Sequence, residues 1–324
     1  MSNSMRHGSM EYWPHRRAKK QMPRVRSAAK VATPMFLGFA AFKVGMTHVM
    51  RLEENEGPAK GSEVYKPATV LEAPRVFIYG IRFYDQGYAY REIAGEVYDA
   101  NTAKHVGINS TKKTDISQFK AKIAEIKDVT ALAYLDAEPI GIANKRVMRF
   151  EIPIGGNTAT EKLAFLEGYL GKELKLTDVL KPGDQVDVTA ISKGKGWAGV
   201  IKRYRVAKQY RKATNKVRHV GTLGPWHPAK VQFGVPQAGH MGYNYRTERN
   251  KLVLKLGTQN DVNLINVKGG YLNYGMVRND FVVLEGSIPG SSKRLIRIRK
   301  AIRAFRQIKE PKITYLSLES KQGS

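Results

Sequence analysis

From Val188 to Thr247 the chain runs for sixty residues without a single Asp or Glu. A segment of that kind cannot neutralise itself. Like charges at close spacing repel by a few tenths of a kcal/mol per pair, so a compact domain built from this stretch alone would push itself apart. A short basic run is ordinarily a solvated face on which the signs mix. This one asks for an external polyanion. It is also rich in Gly, Pro and aromatic residues and poor in periodic apolar runs, so it reads as a long loop ordered on binding rather than as a domain.

The rest of the charge sharpens that reading. The chain has 324 residues, 55 Lys plus Arg against 28 Asp plus Glu, and a formal charge of +27. The excess is segregated. Met1 to Val31 carries eight basic residues against Glu11, Lys193 to Lys255 carries fifteen against Glu248, and Lys293 to Lys312 carries nine against Glu310. What remains is close to neutral, and with 42% hydrophobic residues overall it can bury a core of one or two domains. Cysteine is absent, which removes disulfides, thiolate metal sites and Cys nucleophiles together. Met1 to Lys30 lacks the apolar core of a signal peptide. No apolar run reaches the ~18 residues of a membrane span. A soluble, intracellular, polyanion-binding protein is expected.

The near-neutral body reads as mixed α/β, mainly β. Val147 to Ile154 alternates, with Met148, Phe150, Ile152 and Ile154 on one face. Gln185 to Ile191 alternates through Val186, Val188 and Ala190, and Lys251 to Leu256 through Leu252, Leu254 and Leu256. Period two of this kind predicts half-buried strands of an antiparallel sheet or barrel. Further strands are expected at Ala68 to Glu72, Val76 to Phe83, Val262 to Val267 and Phe281 to Leu284. Two helices are expected between Tyr84 and Thr177. One places Ile116, Phe119, Ile123 and Ile126 on a face behind an Asp115 cap. The other begins at a Thr158/Glu161 capping box, continues through Leu163, Leu166 and Leu170, and stops at Gly171. This region reads as an α/β insertion in a β domain. Glu53 to Ser62 predicts a hairpin or loop, and Lys181-Pro182-Gly183-Asp184 a turn into a strand.

Gly194, Gly196 and Gly199 satisfy G-x-G-x-x-G after a strand, but the acid a dinucleotide fold places about 20 residues later is missing. The glycines instead suit close approach of backbone to phosphate, with Lys193, Lys195, Lys202 and Arg203 neutralising it. His219, His227 and His240 match no zinc spacing, and their cationic surroundings oppose a divalent ion. They suit hydrogen bonding or stacking on RNA, although one or two could sit in a folded core. Trp226, in Gly224-Pro225-Trp226-His227-Pro228, is either part of a small cluster beneath the loop or a rigid aromatic contacting a base. Tyr204, Tyr210, Tyr243 and Tyr245 interleave with cations, the composition of surfaces that bind single-stranded or irregular RNA. No nucleophile–base constellation is present, and no enzyme activity, cofactor or metal is expected.

Several motifs together identify a family. Phe42-Lys43-Val44-Gly45-Met46-Thr47, Ser192 to Arg203 (SKGKGWAGVIKR), His219 to Pro228 (HVGTLGPWHP), Gly239 to Thr247 (GHMGYNYRT) and Gly286 to Gly290 (GSIPG) occur in one order along nearly the whole chain. In these the chain resembles the universal large-subunit ribosomal protein L3 family, in its archaeal type, to which Arg6 to Arg26 also conforms. His240 stands where bacterial relatives commonly have Gln. The resemblance implies a translation-protein-type β-barrel with an α/β insertion, a long basic extension and a basic N-terminal arm. Laid on this chain, it gives an arm at 1–35 and a barrel from 36–83, 178–195 and 250–300. The insertion is then 84–177, the extension 196–249 and a basic C-terminal segment 301–324.

The resemblance further implies a structural constituent of the large ribosomal subunit that binds large-subunit rRNA and supports early assembly. It would reach toward the peptidyl-transferase centre and the aminoacyl-tRNA path with Trp226 near the tip. Neighbouring ribosomal proteins are expected partners, in the cytoplasm, with no membrane and no homo-oligomer. The residues expected to touch RNA are Lys193, Lys195, Lys202, Arg203, Arg205, Arg211, Lys212, Lys216, Arg218, His219, Trp226, His227, Lys230, His240 and Arg246. The rivals are an RNA-modifying enzyme, which would need a cofactor pocket, and a basic DNA-binding protein, which would usually present a recognition helix to the major groove.

Overall fold

The computed structural model describes residues 12 to 322, apart from 13–14, 55, 87–90, 109–115, 139, 144–145, 213–214, 305–309 and 321. Strand β1, Gly38–Leu52, begins with seven consecutive buried residues and then alternates, turning Thr47, Val49 and Arg51 inward. A hairpin follows as expected, with Glu53 N donating to Ser62 O and Gly61 N to Glu53 O. It leads into β2, Glu63–Ala73, whose second half is buried throughout. Next come β3 (Val76–Gln86), β4 (Arg91–Tyr98), α1 (Ala100–His105), α2 (Ile116–Ala121), β5 (Asp128–Leu135), β6 (Met148–Pro153), α3 (Ala159–Glu167) and β7 (Glu173–Leu174). The chain continues through β8 (Gln185–Ile191), β9 (Gly194–Ala198), α4 (Val200–Tyr204), β10 (Gly239–Gly242) and β11 (Tyr245–Gly257). It closes with β12 (Asp280–Glu285), β13 (Leu295–Lys300) and β14 (Ile313–Leu316).

Strands dominate, so the fold is mixed α/β and mainly β. Seven strands pair in the order β13-β8-β11-β12-β2-β1-β14, and β1 also pairs with β13, so the hydrogen-bonded path returns on itself. A second sheet has the order β4-β3-β5-β6, with β7 on β3. One continuous apolar core draws on both sheets. Phe36 lies between α3 and the strands, with the rings of Phe165 and Tyr169 at 5.1 and 5.0 Å. By contact the chain divides into two compact units, 22–190 with 247–324, and 1–21 with 191–246.

Several sequence expectations need correction. Val262 to Val267 is not a strand: Gln259–Leu264 is a 3-10 helix. Asp261 accepts from both Thr258 N and Thr258 Oγ1, which starts the turn, and Val262, Ile265 and Val267 are the residues that reach the core. The helix expected over Ile116 to Ile126 ends at Ala121. Beyond it, Ile123 N and Ile126 N donate to the carbonyls three residues earlier, so tight turns still bring these side chains to the core. Asp115, its expected cap, lies outside the described residues. Thr158 does cap α3, but Glu161 reaches back to Asn157 N rather than to Thr158. That helix stops at Glu167, and Gly171, at φ +76°, shapes the turn after it.

The basic segment near the C-terminus is partly structural. Arg297 and Arg299 are buried on β13. Arg297 donates to Glu151 O and packs on the Phe150 ring, while Arg299 pairs with Asp187. Net charge along the chain cannot distinguish such residues from solvent-facing cations.

Candidate nucleic-acid interface

The unit formed by 1–21 and 191–246 contains one carboxylate in its sequence, Glu11. Its frame is the two-stranded ladder of β9 and β10, which sets Gly239 opposite Ala198 and His240 opposite Trp197. Just before β9, Ser192 N donates to Asn244 O and Asn244 N to Ser192 Oγ. The acid-free stretch is therefore not wholly a loop awaiting a ligand: its two ends pair and carry a helical turn. From 205 to 238 the described residues form neither helix nor strand.

The arm has no apolar periodicity and docks through polar contacts. Ala18 N donates to Tyr243 O, and Asn244 Nδ2 to Arg16 O. The Arg246 guanidinium lies 4.1 Å from the Tyr12 ring centroid, and the His15 and Tyr204 rings are 5.4 Å apart. Arg16, Arg17, Lys19, Gly194, Gly196 and His240 help line a cleft of about 740 Å³. Arg16, Arg17 and Lys19 were not among the expected RNA-binding residues, because the cleft exists only once the arm meets β9 and β10.

Two expected phosphate ligands are held within the unit. Arg203, on α4, is half-buried and donates through NH1 to Gln237 O at 2.8 Å. A Cβ on Gly239 would sit 2.6 Å from that same NH1, so glycine there lets the guanidinium lie against β10. Arg246 is half-buried beside Tyr12.

The remaining expected residues face outward: Lys193, Lys195, Lys202, Arg205, Arg211, Lys212, Lys216, Arg218, His219, His227, Lys230 and His240 are all exposed. None of the three histidines is in a core. Trp226 is 88% exposed, which removes the alternative of a small cluster beneath the loop. Trp197, also missed, is 70% exposed and meets His240 edge-on at 5.2 Å. Its signal is its place two residues after Lys195 on the short strand β9, where both side chains are exposed.

Charges in the other unit are arranged differently. Arg51 pairs with Glu53 and Glu285, Arg82 with Glu96, and Arg299 with Asp187, at 3.0, 3.2, 2.6 and 3.0 Å. Lys193, Lys195, Lys202, Arg205, Arg211, Lys212, Arg218 and Lys230 form no ion pair with a carboxylate among the described residues. Among the described residues no cluster of three His, Asp or Glu could hold a metal ion, and no helix is long and apolar enough to cross a membrane.

The family model for Ribosomal protein L3 matches residues 1–323. The chain belongs to the ribosomal protein L3 family. Among its relatives, the large ribosomal subunit protein uL3 of Methanothermobacter thermautotrophicus is 38% identical, with 98% of each chain covered. That of Methanocaldococcus jannaschii is 40% identical over 99% of this chain and 98% of its own. The Thermoplasma acidophilum protein is 42% identical over 98% of each. An L3 protein is a structural constituent of the large ribosomal subunit, working in the cytoplasm as part of the ribosome, and is not an enzyme. The solvent-facing cations and rings belong to a ribonucleoprotein component of translation rather than to a catalyst.

Proposed function

We propose that the unit built on β9 and β10 is the principal rRNA grip of this L3 protein. Lys193, Lys195, Lys202, Arg205, Arg211, Lys212, Lys216, Arg218 and Lys230 hold phosphates, while Arg203 and Arg246 position the strands that carry them. His219, His227, His240 and Trp226 contact bases or shape the tip. The observation that carries this reading is a row of exposed cations in 193–230, a stretch without a single carboxylate, whereas Arg51, Arg82 and Arg299 of the other unit are each paired with one. By family resemblance, the extension 196–249 approaches the peptidyl-transferase centre and the path of aminoacyl-tRNA, and the protein joins the subunit early in assembly.

The self-returning path through β1, β2, β8, β11, β12 and β13 supports a translation-protein-type β-barrel drawn from 36–83, 178–195 and 250–300, although β3, which begins at Val76, pairs in the second sheet. On this reading 84–177 is its α/β insertion, 1–35 the arm and 301–324 a basic terminal segment. The protein acts as a single copy among neighbouring ribosomal proteins, away from membranes.

Binding of the full chain to large-subunit rRNA across a salt series tests the grip. Each phosphate contact contributes about 0.7–0.9 to the slope of log affinity against log salt. Replacing Lys193, Lys195, Lys202 and Arg205 by Gln is expected to lower that slope by about three. An unchanged slope would remove these side chains from the interface.

A further inference from the structure

On the 22–190 and 247–324 unit, the outward face of β1 carries Met46, His48 and Met50, while Thr47, Val49 and Arg51 turn inward. The register sets Met50 opposite Tyr65 of β2 and Tyr315 of β14. The His48 ring lies 5.0 Å from Tyr65 and 6.3 Å from Tyr315, so three rings on three adjacent strands form one surface. Tyr65 is 61% exposed, Tyr315 44% and Met46 41%. Isolated apolar side chains on a surface need no explanation, but a contiguous row marks an interaction site.

The charge beside this row has the opposite sign to that of the chain as a whole. The β1–β2 hairpin from Glu53 to Glu63 holds four glutamates and one lysine in a protein of net charge +27; Glu53 pairs with Arg51 and Glu54 with Lys312, which leaves Glu56 and Glu63. Glu63 lies on the same face of β2 as Tyr65, two residues away. Glu63 and Glu56 are exposed and pair with no cation among the described residues. Phosphate would be repelled here. A Lys- or Arg-bearing polypeptide would be attracted, its cations meeting the carboxylates and the faces of the tyrosines, and its methylene stems covering the methionines.

We propose that the Met46–His48–Met50 row, with Tyr65 and Tyr315, docks a basic, extended polypeptide segment of another protein of the particle, with Glu56 and Glu63 supplying the charge complement. This deepens the ribosomal reading by assigning one face of the protein to a protein partner rather than to RNA. Charge complementarity carries the choice. An rRNA strand stacking its bases on the rings and a second copy of this chain are the alternatives the test must separate.

The test is a photo-crosslinking amino acid at position 65 in the full chain, assembled into large subunits, with position 226 as an RNA-facing control. The expected product at 65 is a crosslink to a segment of another protein enriched in Lys and Arg. Glu56→Lys with Glu63→Lys is expected to reduce its yield severalfold while incorporation into subunits persists. A crosslink from 65 to rRNA, to another copy of the chain, or to a segment without basic excess would overturn the proposal. So would no crosslink at 65 in subunits where 226 reacts. Loss of incorporation in the double variant would leave the unsubstituted crosslink at 65 to decide. Failure of the control at 226 with a positive result at 65 would count against the rRNA grip and not against this surface.

Discussion

Gly45 lies against the ring of Tyr271, more than two hundred residues away in sequence, so closely that a Cβ on Gly45 would sit 2.7 Å from Tyr271 Cδ1. The glycine is in the Phe42 to Thr47 motif, at the point where the pairing of β1 with β2 shifts register. Tyr271 is almost fully buried and donates from its hydroxyl to Ile265 O at 2.9 Å.

Gly45→Ala is therefore expected to destabilise the protein by about 1–3 kcal/mol, the usual cost of overpacking a filled core. Urea unfolding of the full chain measures it. In a Tyr271→Leu background the same change should cost less, because the ring that the methyl group meets is gone. Equal costs in both backgrounds would place the clash elsewhere.

The same tyrosine gives a pH dependence. Burial pushes the Tyr271 hydroxyl up to about 12 from its ordinary value of 10.0. A raised folded-state value means the contribution is fully present below pH 10 and is lost as the pH rises toward 12. In that window the unfolded chain releases the proton and the folded one keeps it, at up to about 1.4 kcal/mol per pH unit. Tyr271→Phe should start less stable but fall less steeply between pH 10 and 12, as read from urea midpoints across that range. Parallel curves would show that the group does not titrate differently in the two states.

Asp187 of β8 and Arg299 of β13 are cross-strand partners joined by two hydrogen bonds, at 3.2 and 3.0 Å, and both are buried. Arg299 also donates to Ser27 O and Oγ through NH1, fastening residues after the arm's first segment. Asp187→Asn leaves a buried cation without its carboxylate and should cost about 3–5 kcal/mol. Replacing both residues with apolar ones of similar size should cost less than the single change. A loss below 1 kcal/mol for Asp187→Asn would mean that water or a neighbouring group already compensates.

Trp226 is expected to act in function rather than in folding, since its ring has little contact with the protein. Trp226→Ala should enter large subunits nearly as well as the unsubstituted chain. It should slow aminoacyl-tRNA accommodation about fivefold or more, as loss of ~1 kcal/mol of aromatic contact would. Normal accommodation kinetics and fidelity would exclude that role.

How far the chain could be read in advance depended on how local each cause was. The alternation in Met148 to Ile154, the Lys181 to Asp184 turn and the hairpin after Leu52 depend on neighbours in sequence, and each forms as expected. β8 shows the limit. Its alternation implied an outward face for Asp187 and Thr189, yet both are buried, because partner strands come from Arg299 and Thr247, far along the chain. Val262 to Val267 failed for a different reason: Asp261 and Thr258 start a tight turn that outweighs β propensity.

The candidate site divides the same way. Its cations were legible from composition, whereas the flanking Gly and Pro left Trp226 open between a buried cluster and an exposed ring, and its exposure decides between them. The inward turn of Arg203 was not legible, since it depends on Gln237 and on the missing Cβ of Gly239. Nor was the exposed face of Trp197 against His240, which exists only once β9 and β10 pair.

The central claim is that exposed, unneutralised cations hold this protein on large-subunit rRNA. Sedimentation through a gradient at raised salt tests it most directly. The full chain should remain with the large subunit, and the variant lacking Lys193, Lys195, Lys202 and Arg205 should be released at lower salt. Release of both at the same salt, or comigration of the full chain with DNA instead of large subunits, would contradict it.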